Sequence, residues 1–214
     1  MLDKFLEFYL NLKINKEYSK NFFQNGKKPQ SVFWNSNFNQ IKRFEELLNF
    51  LPDIIFKNGC TIADVGCGYG ALYEFMRLNE KYKKIKYIGV DINKHFIEVF
   101  KKTYNNKVEA YLGSKPKNKV DYCLMSGTYN LTKIKNVLLW EKYIYNNLKK
   151  CLSKSNKGII FNLQFNVSAK IKNNIFYSNP NKIKSLFMSE DLKISYTRSK
   201  FFINDMIFVI TKKY

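Results

Sequence analysis

Two carboxylates and three glycines carry the most readable chemistry in this chain. In IADVGCGYGAL, residues 62–72, Asp64 stands two places before Gly66, and Gly66, Gly68 and Gly70 alternate with other residues. Asp91 lies 25 residues beyond Gly66, in IGVDIN. Glycines spaced this way allow a tight turn and leave no Cβ between backbone and ligand. A helix starting near residue 70 aims unpaired N–H groups into the same space. Gly66, Gly68 and Ala71 satisfy the G-x-G-x-x-G/A dinucleotide pattern, with Asp91 near the position of a ribose-binding acid. That pattern alone does not choose the ligand.

Asp64 tips the balance. A carboxylate beside the loop repels a pyrophosphate but suits a ligand bearing an ammonium and a sulfonium. S-adenosylmethionine has both, and its ribose hydroxyls can bind Asp91 at the end of the second strand. As a mere turn residue, Asp64 would need neither the three glycines nor Asp91 at this spacing.

The elements that must position these groups alternate from residue 60 onward. CTIADVG, KYIGVD, KVEAYLG, VDYCLMS and GIIFNLQF read as strands, separated by helical runs at 70–80, NKHFIEVFKKTY and LTKIKNVLLWEKYIYNNLKKCL. Strands interleaved with helices predict a parallel sheet covered on both faces. A helix near 180–190 precedes LKISYTR and DMIFVIT, read as an antiparallel edge hairpin. GSKPKNK alone joins the third and fourth strands, short for a parallel crossover. Fully extended it reaches roughly 23–25 Å, so it can pass without a helix. Upstream, Leu2, Phe5, Leu6, Tyr9 and Leu10 lie near one face of an amphipathic helix. A second helix, FNQIKRFEELLNFLPDII, has Asn37 as its cap, and Pro52 ends or kinks it.

Composition bounds the rest. The 214 residues make a one-domain length, 45% of them hydrophobic. No run of 18 apolar residues suggests a membrane span, and Asp3, Lys4 and Glu7 argue against a signal peptide. Cys60, Cys67, Cys123 and Cys151 form no C-x-x-C, and His95 is the sole histidine, so neither zinc nor a disulfide framework is expected. A cytoplasmic, reducing setting is the simplest reading. The net charge of +20 comes from scattered lysine groups, read first as a solvated surface and second as a nucleic-acid site.

From about Val32 to the C-terminus, the chain resembles a class I S-adenosylmethionine-dependent methyltransferase of small bacterial type. ADVGCGYG resembles the family's first motif, IGVDIN its second, VDYCLMSGTYN its fourth-strand motif and GIIFN its fifth strand. The fold implied is a Rossmann-like, mostly parallel seven-stranded sheet, with an antiparallel C-terminal hairpin strand and an N-terminal helical extension. Residues 1–58 would form a helical extension or lid of the same domain, and 59–214 the methyltransferase domain.

The resemblance also implies a site. VFWNSNFNQIKRFEELL is similar to a segment that closes over the cofactor, which gives parts to Trp34, Gln40 and Arg43. Arg43 would fork onto the methionine carboxylate and Trp34 would wall the site; their ordinary alternatives are a solvated helix residue and core. Asp64, Gly66, Gly68, Asp91 and Ile92 complete the loop side. Where the family often has an acid for the adenine amine, this chain has Ser114. Ser126 is assigned to the cofactor, and Tyr129 and Asn130 to positioning the acceptor. Asn162 and Gln164 end the fifth strand on the same rim. His95 reads as an exposed helix residue and Cys123 as core. SGTYN lacks the prolines of base-amine methyltransferases.

The activity implied is methyl transfer to an oxygen or nitrogen of a small polar metabolite, with S-adenosylhomocysteine as product. Phosphorylated or nucleotide-activated acceptors, such as a surface-polysaccharide precursor, are included. The alternative is a tRNA or rRNA methyltransferase using the basic surface. No metal and no membrane partner is expected, and the protein is read as a monomer or homodimer. A degenerate partner subunit would have no need for the intact loop.

Overall fold

The computed structural model describes residues 2–213, with side chains over 5–213. A parallel core of five strands forms first in the chain: β1 (Cys60–Val65), β2 (Ile85–Asp91), β3 (Glu109–Leu112), β4 (Val120–Met125) and β5 (Ser155–Phe165). Their order is β3-β2-β1-β4-β5. β9 (Asp205–Lys212) pairs antiparallel with β5, and β8 (Leu192–Arg198) antiparallel with β9. The expected reversed strand and hairpin are therefore present.

The sheet has nine strands, a correction to the seven expected. The additional pair is β6 (Lys170–Lys172) and β7 (Ile175–Ser178), a hairpin attached to the end of β5. Asn173 and Asn174, both at positive φ (51° and 62°), form its two-residue turn, the conformation that suits a tight hairpin's twist.

Alternating side chains split the core into two layers. Ala63, Val65, Ile88, Val90, Cys123 and Met125 face one side, where α1 (Leu2–Asn25), α6 (Val137–Lys154) and α7 (Pro180–Leu186) pack. Ile62, Ile85, Tyr87, Tyr122 and Leu124 face the other, under α2 (Asn37–Leu48), α3 (Ile54–Asn58), α4 (Ala71–Arg77) and α5 (Lys94–Thr103). Burying a large apolar side chain contributes about 1.5–3 kcal/mol, so both layers lock the strand register. That register sets Asp64 opposite Gly89 and brings the ends of β1 and β2 level.

The link from β3 to β4 carries no helix, as its length foretold. α1 serves there instead. Leu10 is fully buried in the first layer with Leu6 and Ile14 packed beside it. Glu7 binds Lys150 of α6 and accepts from Ser114 Oγ at 3.4 Å within the link. The helix runs on to Asn25 and its inward row is Leu6, Leu10, Ile14 and Tyr18. Phe5 and Tyr9, expected with Leu10, point largely to solvent, and the side chain of Leu2 lies outside the described residues. Helix α2 starts one residue early relative to expectation, with Ser36 as its cap accepting from Asn39 N at 3.2 Å. Among the described residues no helix is long and apolar enough to cross a membrane.

Candidate active site

The carboxyl ends of β1, β2 and β4 open into one cavity of about 930 Å³, its solvent-filled mouth included, at the place where open α/β sheets bind ligands. Of the residues read from sequence, Trp34, Gln40, Asp64, Gly66, Gly68, Asp91, Ile92, Ser114, Ser126 and Tyr129 line it.

The glycine loop wraps the end of β2. Gly66 N–H donates to Val90 O at 2.7 Å, and Gly68 N–H to Asp91 Oδ2 at 2.9 Å. The glycines divide their labour. A Cβ on Gly66 would stand 2.7 Å from Thr128 Cγ2, and one on Gly70 2.5 Å from the Phe100 ring; both have positive φ. Those two are required by neighbouring protein atoms. Gly68 would meet only Val32 at 3.5 Å, so it presents the open backbone.

Asp91 uses its other oxygen to accept from Asn93 N at 2.7 Å. Asp64 accepts from the Tyr87 hydroxyl at 2.7 Å. Burial pushes Asp64 up to about 7, opposed by the Tyr87 bond and reinforced by the charge of Asp91. Burial likewise lifts Asp91 to about 6, against the backbone N–H groups that bind it. Neither carboxylate has a positive partner among the described residues. Among the described lining residues Asp64 and Asp91 are the only charged ones. A protein of net charge +20 has built a cavity without a cation.

Helix α1 closes one wall, a part the sequence did not reveal residue by residue. Asn15 Nδ2 donates to Ile92 O at 3.0 Å, and Asn93 Nδ2 to Ser19 Oγ at 2.9 Å. Tyr18 packs edge-on against Phe33 and Phe96, and Tyr143 donates to Asn11 Oδ1 at 2.6 Å. Asn15, Tyr18, Tyr69, Asn93, Tyr143 and Asn147 all join the lining. For Tyr18 alone, the i, i+4 spacing from Leu10 through Ile14 was a sequence signal.

Three of the expected residues have other partners. Arg43 stands outside the lining; its guanidinium forms a buried ion pair with Asp205 and stacks on Trp34 and Phe202, with centroid distances of 4.7 and 4.3 Å. Tyr129 sends its hydroxyl to Met125 Sδ at 3.6 Å, inside the core. Asn130 accepts from Gln164 N–H at 3.0 Å and also stands outside the lining. Both therefore have protein partners in this arrangement. Asn162 is fully buried, accepting from Gly127 N–H and donating to Asp205, not a rim group. His95 is exposed beside Phe23, and Cys123 is buried in the core. Cys67 lines the cavity, but burial raises its thiol well above the ordinary range, so it stays protonated.

Could these residues hold S-adenosylmethionine? Asn15 Oδ1, Ser126 Oγ and Asn147 Oδ1 are buried and find no hydrogen-bond partner among the described residues. All three residues line the cavity. With the two carboxylates they make a lining rich in acceptors. S-adenosylmethionine offers an ammonium, two ribose hydroxyls and an adenine amine as donors, and the residues fit it.

The strand order with its reversed last strand, and the crevice beyond β1 and β2, define a class I S-adenosylmethionine-dependent methyltransferase fold. No family model matches the chain. A Mycobacterium tuberculosis (strain H37Rv) protein provisionally named as methyltransferase Rv1506c is 24% identical over 124 residues, 56% of this chain and 74% of its own length. An S-adenosylmethionine-dependent methyltransferase from Leishmania major superposes with a TM-score of 0.65 at 15% identity, over 91% of this chain and 82% of that one. Magnesium protoporphyrin IX methyltransferase from Synechocystis PCC 6803, solved with S-adenosylmethionine bound, gives 0.61 at 10% identity over 95% and 97%. The chain thus shares its fold with these class I methyltransferases and is similar in sequence to the mycobacterial protein over 124 residues.

Proposed function

We propose that the protein binds S-adenosylmethionine in this crevice and transfers its methyl group to an oxygen or nitrogen of a small polar acceptor, releasing S-adenosylhomocysteine. The observation that carries this reading is the charge of the lining: two buried carboxylates and no basic residue among those described. A dinucleotide would set its pyrophosphate against Asp64.

Within this reading Asp64 holds the ammonium and Asp91 the ribose hydroxyls, each from lone pairs its protein partners leave free. Gln40, hydrogen-bonded to the Tyr69 hydroxyl, and Trp34 border the methionine end. The bound cofactor supplies a methyl carbon already activated by its sulfonium. The chain's own residues contribute alignment and exclusion of water, which recover roughly 7–11 kcal/mol of barrier in well-oriented systems. Residues 1–58 act here as the closure of the domain formed by 59–214. The tyrosine hydroxyls at the wall stay protonated, so an amine acceptor, which needs no strong base, suits the site better than an alcohol. A nucleotide-activated acceptor, a surface-polysaccharide precursor among them, would keep its phosphates outside the acidic cavity.

A second reading, an RNA methyltransferase, draws on Lys42. Its ammonium lies over the exposed rings of Phe38 (5.6 Å) and Phe201 (5.3 Å), a cation-and-ring pairing that suits unstacked bases.

Calorimetric titration with S-adenosylmethionine, S-adenosylhomocysteine and NAD tests the cofactor. Labelled-methyl transfer to polar amines, alcohols, nucleotide-activated sugars and bulk RNA then tests the acceptor. Binding of NAD without binding of either sulfur compound overturns the proposal, and methylation of RNA alone transfers it to the second reading.

A further inference from the structure

Asn147 is 1% exposed on α6 and lines the cavity. Its Nδ2 donates to Tyr143 O, one turn back, at 2.9 Å. A carbonyl can only accept, so the amide nitrogen must face it, and Oδ1 is held turned away. That oxygen is buried and has no partner among the described residues. Asn15, on α1, repeats the device: Nδ2 is fixed on Ile92 O and Oδ1 is left without a donor. Two helices thus hold out amide oxygens whose orientation the backbone has set.

The place of Asn147 narrows the donor it awaits. One turn further along α6, the Cys151 thiol meets Ser114 O at 3.7 Å. This stretch of α6 therefore borders the segment that follows β3. Ser114 itself gives its hydroxyl proton to Glu7. Once Asp64 takes the ammonium and Asp91 the ribose hydroxyls, one strong donor of the cofactor is unassigned, the exocyclic amine of adenine.

We infer that Asn147 Oδ1 reads that amine, supported by Asn15 from α1, and so makes the site selective for a 6-amino purine. The inference rests on the cofactor reading above. A purine with a 6-oxo group would present a carbonyl oxygen to Asn147 Oδ1, setting acceptor against acceptor. Sites built to bond one polar group reject the analogue lacking it strongly.

The test is calorimetry of the full chain with S-adenosylhomocysteine and S-inosylhomocysteine. The wild type should favour the adenosyl compound by at least about 50-fold, in keeping with such polar discrimination. Asn147→Leu should cut this preference to below about 5-fold, while the ligand-free protein melts no lower than wild type, because a buried unpaired acceptor has been removed. A wild type that binds both compounds equally overturns the inference, even if Asn147→Leu fails to fold. So does an Asn147→Leu protein that folds and discriminates like wild type, and in either case the cofactor reading stands. A wild type that binds neither compound overturns the inference together with the function it rests on.

Discussion

Arg43 and Asp205, 162 residues apart in sequence, form an ion pair that ties the segment before the glycine loop to the last strand. The pair closes a ring of contacts. Asp205 accepts from Asn162 Nδ2 at 2.9 Å, Asn162 accepts from Gly127 N–H at 2.7 Å, and Gly127 lies against the Trp34 ring that Arg43 stacks on. Glu46, one turn beyond Arg43, accepts from Ser199 Oγ and Lys200 N and so secures the loop before β9. One face of the cavity is braced from behind by charge that never reaches it.

Removing one member of that pair should be costly. Arg43→Ala leaves Asp205 buried without its cation, and a stability loss of about 3–5 kcal/mol is expected in denaturant titration. Replacing both, as Arg43→Met with Asp205→Leu, should recover most of it. If Arg43→Ala instead weakens S-adenosylmethionine binding at unchanged stability, the guanidinium serves the methionine carboxylate as the sequence suggested.

Asp91 has two tasks, holding Gly68 N–H and offering free lone pairs to the ribose. Asp91→Ala should lower cofactor affinity by the worth of a charge-assisted hydrogen bond, about 1.5–3 kcal/mol. Unchanged affinity by calorimetry would reject the ribose assignment.

The raised carboxylates make a pH prediction. Asp64 (about 7), Asp91 (about 6) and Asp205 (about 6) all titrate above the ordinary carboxylate range when folded. Between about pH 4 and 7 the folded chain therefore binds more protons than the unfolded one, and stability falls as pH rises through that window. The cationic cofactor reverses the trend by favouring ionised Asp64, so its affinity should climb from pH 5.5 to 8. Thermal melts with and without S-adenosylmethionine across this range measure both slopes, and Asp64→Asn should flatten them.

Gly66 has little room for change. Gly66→Ala drives a methyl into Thr128 at a positive φ, and overpacking of this kind costs about 1–3 kcal/mol. Thr128→Ala in the same chain should return part of that loss, as read by the shift in melting temperature.

Much of this was legible beforehand. Strands from CTIADV to GIIFNLQF declared themselves because they are buried on both faces and bounded by glycine, asparagine and helical runs. Asp64 and Asp91 could be placed side by side in advance because each lies at the carboxyl end of a readable strand. The β6–β7 hairpin escaped notice although KIKNNIFYS carries an Asn-Asn turn between alternating residues, since three- and four-residue strands lack a strong period. Arg43 was legible as important but not as structural, because its partner lies at the other end of the chain. Tyr129 and Asn130 illustrate the same limit: a motif gives their place after β4 but not which way each side chain turns.

The opening helix has a consequence for how the protein is made. It is translated well before its anchors, since Tyr143 and Lys150 lie 132 and 143 residues downstream of their partners Asn11 and Glu7. At about 5–20 residues per second, it waits roughly 7–29 s for them. Throughout that interval Leu10, Ile14 and Tyr18 are uncovered alongside Phe5 and Phe8. The nascent chain is thus most exposed to capture by holding chaperones, and to clumping with its neighbours on the same message, before the second half of the sheet has been translated.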